Sequence, residues 1–211
     1  MPTAFDEPFR RTLAELFRLR RDVRRFRTDA LPDGTVARLI ATACTAPSVG
    51  LSQPWRFVSV DSPERRRAVA AEFARENAAA TAIYDDRTAA AYADLKLAGL
   101  DAAPEQLAVF CEPAPTTGRG LGRQTMPETT AYSVVAAIQT LWLAARAEGI
   151  GVGWVSILRP GRVAALLDVP AGWQLVAYLC IGYPEADDDT PELEQSGWER
   201  RVAPDAVWRR V

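Results

Sequence analysis

Three arginines and one carboxylate fall within five residues, Arg20-Arg21-Asp22-Val23-Arg24. Guanidinium forks match the oxygens of a phosphate, and each charge-assisted contact is worth about 1.5–3 kcal/mol. Just past a helix, Arg20, Arg21 and Arg24 can converge on one anion. On charge alone, a solvated basic face is the commoner explanation of such a run. Asp22 argues against it, as an odd insertion into a merely solubilising cluster. A carboxylate amid arginines stays ionised and accepts hydrogen bonds or protons from a ligand that they hold. Further on, Ala46-Pro47-Ser48-Val49-Gly50 with Gln53-Pro54-Trp55 forms a small-residue turn offering backbone N–H groups and a hydroxyl. By itself that segment is only a loop.

The residue inventory narrows the chemistry. The 211 residues include no histidine. This excludes a His base, a Ser-His-Asp or Cys-His nucleophile and every His-containing metal site. A carboxylate, a hydroxyl or a cofactor must act instead, and no metal site is predicted. Cys44, Cys111 and Cys180 lie far apart in apolar or Ala-rich surroundings, without a C-x-x-C pair. They read as small buried hydrophobes in a reducing compartment. Gly118-Arg119-Gly120-Leu121-Gly122 and Gly149-Ile150-Gly151-Val152-Gly153 are both G-x-G-x-G rather than the dinucleotide fingerprint. The second follows a helix and precedes a strand, the reverse of a Rossmann first turn, and reads as a helix cap and tight turn. No phosphate loop of the G-x-x-x-x-G-K-[ST] type is present.

These residues need a scaffold. A 48% hydrophobic content suits a soluble chain with one core, and residues 1–211 read as one domain. A net charge of -2 argues against general nucleic-acid binding. Without a signal-like segment or an 18-residue apolar run, the expectation is a cytoplasmic protein with no membrane span. Helical spacing of Phe9, Leu13, Leu16 and Phe17 predicts a helix over residues 5–21. A second helix is expected over 33–46, a strand over 56–60 and a third helix over 63–80. Residues 82–100, Ala-rich and weakly patterned, read as a flap, the alternative being a partly ordered surface helix. A strand over 105–111 and a Gly/Thr/Pro loop over 112–128 precede the longest apolar helix, 129–148. That helix belongs in a core or a subunit interface, with Gly149 as its cap. Strands over 152–157 and 174–181 flank a short helix at 162–167. The tail from residue 184 is acidic, then aromatic and basic, with Trp198 and Trp208 as anchors. The picture is an α+β domain, a short-stranded sheet flanked by helices.

Taken together, the R-R-x-x-R segment, A-P-S-x-x-x-x-Q-P-W, the long apolar helix and Gly153-Trp154-Val155-Ser156 resemble the nitroreductase-like FMN proteins. The resemblance runs from Phe9 to about Arg200. Three stretches resemble that superfamily's 5,6-dimethylbenzimidazole synthase branch: Arg20 to Arg24, Leu95-Lys96-Leu97-Ala98-Gly99-Leu100, and the run from Gly118 through Gly-Arg-Gln-Thr-Met-Pro-Glu to Thr129. Asp22 is telling, because ordinary nitroreductases carry Ser there.

The resemblance implies a mostly antiparallel central sheet flanked by helices, in an intertwined homodimer. It implies that Arg20, Arg21, Asp22, Val23 and Arg24 cradle the FMN phosphate and ribityl chain. Pro47 and Ser48 would reach the FMN of the partner subunit, and Leu95 and Lys96 would belong to a lid. Val155 and Ser156 would face the isoalloxazine edge near N5. Asp22 and Ser156 would be the catalytic pair. Superfamily members often place a basic tail residue on the phosphate, but Pro191-Glu192-Leu193-Glu194-Gln195-Ser196 offers none. The implied reaction is oxygen-dependent fragmentation of reduced FMN to 5,6-dimethylbenzimidazole, the cobalamin lower ligand, and erythrose 4-phosphate. Flavin and O2 then supply the redox power. A closed lid leaves little room for NAD(P)H, so a separate flavin reductase is expected to deliver reduced FMN. The competing readings are an NAD(P)H-dependent FMN nitroreductase, a non-enzymatic flavin-binding module and a ligand-free scaffold.

Overall fold

A strand reading Gln-Leu-Ala-Val-Phe-Cys has to be covered on both faces, because nearly every position is apolar. In the computed structural model, which describes residues 4–211, this is β2 (Glu105–Cys111), buried from Gln106 onward. It pairs antiparallel with β1 (Trp55–Ser59) and with β4 (Gln174–Gly182). β4 in turn pairs antiparallel with β3 (Gly151–Val155), giving the order β1-β2-β4-β3. The sheet is therefore antiparallel throughout, as the family resemblance implied.

Alternation along the strands divides the core. Leu107 and Val109 of β2, Leu179 and Ile181 of β4 and Val152 of β3 face one way. They meet α5 (Thr129–Ala147), through Val134, Ile138, Leu141 and Ala145, and α2 (Thr35–Ala43) through Leu39 and Ala43. Ala108, Phe110, Tyr178 and Cys180 face the other way, toward Phe26, Val69 of α3 (Pro63–Thr81) and Val163 of α6 (Pro160–Leu167). Gly149 closes α5 at a φ of 72°, with the Ile150 amide donating to the Ala145 carbonyl at 2.9 Å, the cap expected of it.

Several elements differ from expectation. Residues 82–100, for which a surface helix was the alternative to a flap, contain α4 (Asp86–Ala93), started by Asp85 accepting from the Thr88 amide at 2.8 Å. The irregular stretch after it is pinned at its end. The Leu100 carbonyl accepts from Gln106 Nε2 at 2.8 Å, and Gln106 Oε1 accepts from the Tyr178 hydroxyl at 2.7 Å. The bounds of α4 were not legible because its alanines carry no apolar stripe. Cys44 is exposed, whereas Cys111 and Cys180 are buried as expected. Trp198 packs edge-on against Tyr84 at 5.7 Å, but Trp208 is 67% exposed and carries only the guanidinium of Arg210 on its ring among the described residues. The tail carries two short helices, α7 (Glu192–Gln195) and α8 (Pro204–Val207). Among the described residues, no helix is long and apolar enough to cross a membrane.

Candidate functional site

The arginine segment follows α1 (Glu7–Leu19), whose end is tied by the Arg20 amide to the Leu16 carbonyl at 3.0 Å. It then runs along the free edge of β3. The Val23 amide donates to the Val152 carbonyl at 3.0 Å, Asp22 bridges Val152, and Phe26 bridges Pro184. Two glycines make the approach feasible. A Cβ on Gly153 would overlap the Val23 carbonyl oxygen, and one on Gly151 would stand 2.8 Å from Val23 Cγ2. The cap-and-turn reading of the second glycine motif thus holds for Gly149 alone. Gly151 and Gly153 lie inside a strand to admit a neighbouring backbone.

Along this edge Asp22 is held at both oxygens. Its Oδ1 accepts from the Trp154 amide at 2.8 Å, and its Oδ2 pairs with Arg24 at 3.2 Å. Arg24 also donates to the Lys96 carbonyl at 3.2 Å, linking the cradle to the segment after α4. Lys96 contributes that carbonyl, while its ammonium pairs with Asp101 at 3.2 Å. Leu95, next to it, is half-buried. The Arg20 guanidinium lies over the Trp142 ring, 4.9 Å from its centroid. Arg21 donates to the carbonyls of Arg20 and Asp189, and its Nε is buried without a partner.

A cavity of about 320 Å³ adjoins these groups, lined by Arg21, Asp22, Arg24, Trp142, Asp187 and Asp188 among others. The acidic stretch beside it is tied down by other arginines: Arg146 pairs with Asp187, and Arg18 with Asp189 at 2.7 Å. Among the described residues neither Arg20 nor Arg21 has a carboxylate partner within ion-pair distance. Burial lowers the pKa of both, and the nearby charge of Arg201 lowers each further. Arg201, from the tail, is exposed and, among the described residues, makes no hydrogen bond or ion pair to this segment. The two guanidinium groups without a carboxylate partner, together with the unpartnered Arg21 Nε, fit a phosphate dianion, with Glu185, Asp187, Asp188 and Glu192 also lining the cavity.

The other expected site residues fall elsewhere. Val155 is buried at the end of β3, so only its backbone is available, and Ser156 lies just beyond the strand, exposed. The Ser48 hydroxyl accepts from the Gln53 amide at 3.1 Å, and Pro47 beside it is exposed. Neither lines the arginine cavity. Their loop instead packs, through Val49–Leu51, on the turn Thr117–Gly120, where Thr117 Oγ1 donates to the Ser52 carbonyl at 2.5 Å. Leu51, Gln53 and Arg119 hold positive φ angles of 54°, 47° and 50° there, a concentration of backbone strain. Among the described residues, no cluster of Cys, Asp or Glu could hold a metal ion.

Two neighbours of the arginine segment were not singled out in the sequence. Trp142 is hidden in an apolar helix, and its only signal was an indole N–H that a buried Trp has to satisfy. Arg201 belongs to a basic tail whose path the sequence does not disclose.

Comparison with known proteins bears on this geometry. Residues 18–183 match the nitroreductase family. Over 206 residues the chain is 59% identical to the 5,6-dimethylbenzimidazole synthase of Rhodospirillum rubrum, covering 98% of this chain and 97% of that one. A 5,6-dimethylbenzimidazole synthase of Rhodobacter capsulatus is 49% identical over the same length, covering 98% and 99%. Among solved structures, a BluB-like flavoprotein from Clostridium difficile superposes with a TM-score of 0.71 at 18% identity, covering 94% of this chain and 98% of that one. An iodotyrosine deiodinase bound to FMN and 3-iodo-L-tyrosine gives 0.70 at 24% identity, covering 83% and 91%.

Proposed function

The chain belongs to the nitroreductase family, and from that premise we propose that it fragments reduced FMN with O2 to yield 5,6-dimethylbenzimidazole and erythrose 4-phosphate. Near-full-length identity to two proteins of that name supports the reaction. The structural observation that carries it is Asp22, a carboxylate tethered within an arginine cradle to the Trp154 amide and to Arg24. Bound FMN supplies the electrons and the carbon skeleton, with O2 as oxidant.

The residues divide the work. Arg20, Arg21 and Arg24 hold the phosphate and ribityl chain. Asp22 is the acid/base at the ribityl chain, where its charge can take or return a proton. Ser156, with a free hydroxyl beyond β3, hydrogen-bonds near N5 beside the backbone of Val155. Leu95 and Lys96 close over the site from the segment after α4. Pro47 and Ser48 serve the FMN of a partner subunit, consistent with their separation from the arginine cavity in one chain. Exposed Phe9, Phe17, Leu51, Leu121, Tyr132 and Val135 supply apolar surface for such a homodimer. A separate cytoplasmic flavin reductase provides the reduced FMN.

The test mixes the protein with chemically reduced FMN, admits air and seeks 5,6-dimethylbenzimidazole by mass spectrometry. Product lost in Asp22→Asn supports the reading. Intact FMN as the only flavin recovered from wild type overturns it. Rapid NAD(P)H oxidation with a nitroaromatic acceptor would then favour an ordinary nitroreductase.

A further inference from the structure

Arg20 and Arg21 stand where no regular element fixes them, between the end of α1 and the bridge at Asp22. Their guanidinium groups repel one another and are repelled by Arg201. Asp22 attracts Arg20 and Asp189 attracts Arg21, but neither carboxylate forms an ion pair with its arginine. One side chain touches both residues. Trp142 of α5, only 7% exposed, donates its indole N–H to the Arg21 carbonyl at 3.0 Å. The face of the same ring carries the Arg20 guanidinium, 4.9 Å from the centroid. Trp154 of β3 packs 6.4 Å away, ring to ring, so the indole is also supported from the sheet. A buried core Trp needs a hydrogen-bond acceptor and apolar neighbours, but it does not need a cation on its face.

We propose that Trp142 is a positioning residue: it holds Arg20 and the Arg21 backbone in the arrangement that receives the flavin phosphate, and so sets the preference for FMN over riboflavin. The proposal rests on the reading that this cradle binds FMN. An indole face holds a guanidinium without neutralising it, leaving its charge and its N–H donors for the ligand. A carboxylate in the same place would compete with the phosphate. The cradle is thereby ordered before binding, which lowers the entropy lost when the anion is captured.

The experiment titrates wild type, Trp142→Phe and Trp142→Leu with oxidised FMN and with riboflavin, following flavin fluorescence. Trp142→Phe keeps an aromatic face and loses one hydrogen bond, so FMN affinity should fall about fivefold. Trp142→Leu also loses the cation–π contact, and the fall should reach about tenfold or more. Riboflavin affinity should change by less than about twofold in Trp142→Phe, since riboflavin has no phosphate to mislay. In an Arg20→Gln background, Trp142→Leu should cost only the roughly fivefold that belongs to the hydrogen bond with the Arg21 carbonyl, because the cation–π contact is already gone. A thermal midpoint for each variant identifies any that fail to fold. If Trp142→Phe weakens both flavins equally, or if wild-type selectivity survives in folded Trp142→Leu, this proposal alone is overturned. Wild type binding both flavins equally overturns the cradle assignment together with it.

Discussion

One methyl group at Gly153 should dismantle the arginine cradle without touching an arginine. The Cβ of an alanine there would overlap the Val23 carbonyl oxygen, and it would stand 3.2 Å from the carbonyl carbon. The obstacle is backbone, so no rotamer change relieves it, and the segment must move off β3. Overpacking costs about 1–3 kcal/mol. Displacement also breaks the 3.0 Å bond from Val23 to Val152 and the 2.8 Å bond from Trp154 to Asp22. The first is worth about 1 kcal/mol and the second, with its charged acceptor, about 1.5–3 kcal/mol. The total of about 3.5–7 kcal/mol is a large share of an ordinary domain's stability. Urea unfolding followed by circular dichroism should show a midpoint lower by about 2–3 M, taking a slope of about 2 kcal/mol/M. FMN titration should show tight binding lost. Gly151→Ala meets only the Val23 side chain, at 2.8 Å, and should cost about 1–2 kcal/mol. Gly161→Ala, with nothing within 4 Å, should be neutral or slightly stabilising. Gly153→Ala that matches Gly161→Ala in both midpoint and FMN affinity would refute the reasoning.

Other perturbations separate the roles of individual residues. Ser156 is exposed, so Ser156→Ala should shift stability by less than about 0.5 kcal/mol while product formation collapses; unchanged product yield removes it from the chemistry. Arg201→Ala should weaken FMN by less than about fivefold and leave riboflavin binding alone, since its exposed charge acts on Arg20 and Arg21 only from a distance. With only Cys44 exposed, a thiol reagent should modify one cysteine in the native protein and three after unfolding. Burial pushes the Cys180 thiol up to about 12, and raises the Tyr178 hydroxyl as well. Both groups ionise first in the unfolded chain, so their contribution is complete below about pH 8.5 and is lost as pH climbs toward 12. Urea midpoints should therefore fall between pH 8.5 and pH 11, and a flat profile would contradict the burial.

Where side-chain periodicity carried the information, the fold could be read directly. β2 matched its expected bounds because six consecutive apolar or buried positions leave no alternative to a covered strand. α5 matched to one residue because its stripe and its Gly149 cap agree. α4 was illegible, since alanines satisfy a helix and a loop alike until tertiary contacts decide. The arginine cluster stood out because Asp22 is chemically improbable in a solubilising run. Its support did not stand out, because Gly151, Gly153 and Trp142 act through space from more than a hundred residues away. A glycine that admits a backbone looks, in sequence, like any glycine near a turn. Arg201 was missed for the same reason: tail residues with no pattern of their own are placed only by the surface they cross.

Asp22 shows how closely binding and chemistry are joined. Its Oδ1 is fixed by the Trp154 amide, two residues before Ser156, and its Oδ2 by Arg24. The carboxylate therefore fastens the cradle to the strand end that carries the other residue proposed for chemistry. Asparagine can still accept from Trp154 through its own Oδ1, whereas alanine frees both the amide and Arg24. Asp22→Asn should then keep FMN affinity within about threefold and lose product. Asp22→Ala should lose product and also weaken FMN by about tenfold or more, because an unpaired strand amide and a released guanidinium are left behind. Equal FMN affinities in the two variants would mean that Asp22 serves the reaction without organising the site. Product retained in Asp22→Asn would mean that it organises the site without serving the reaction.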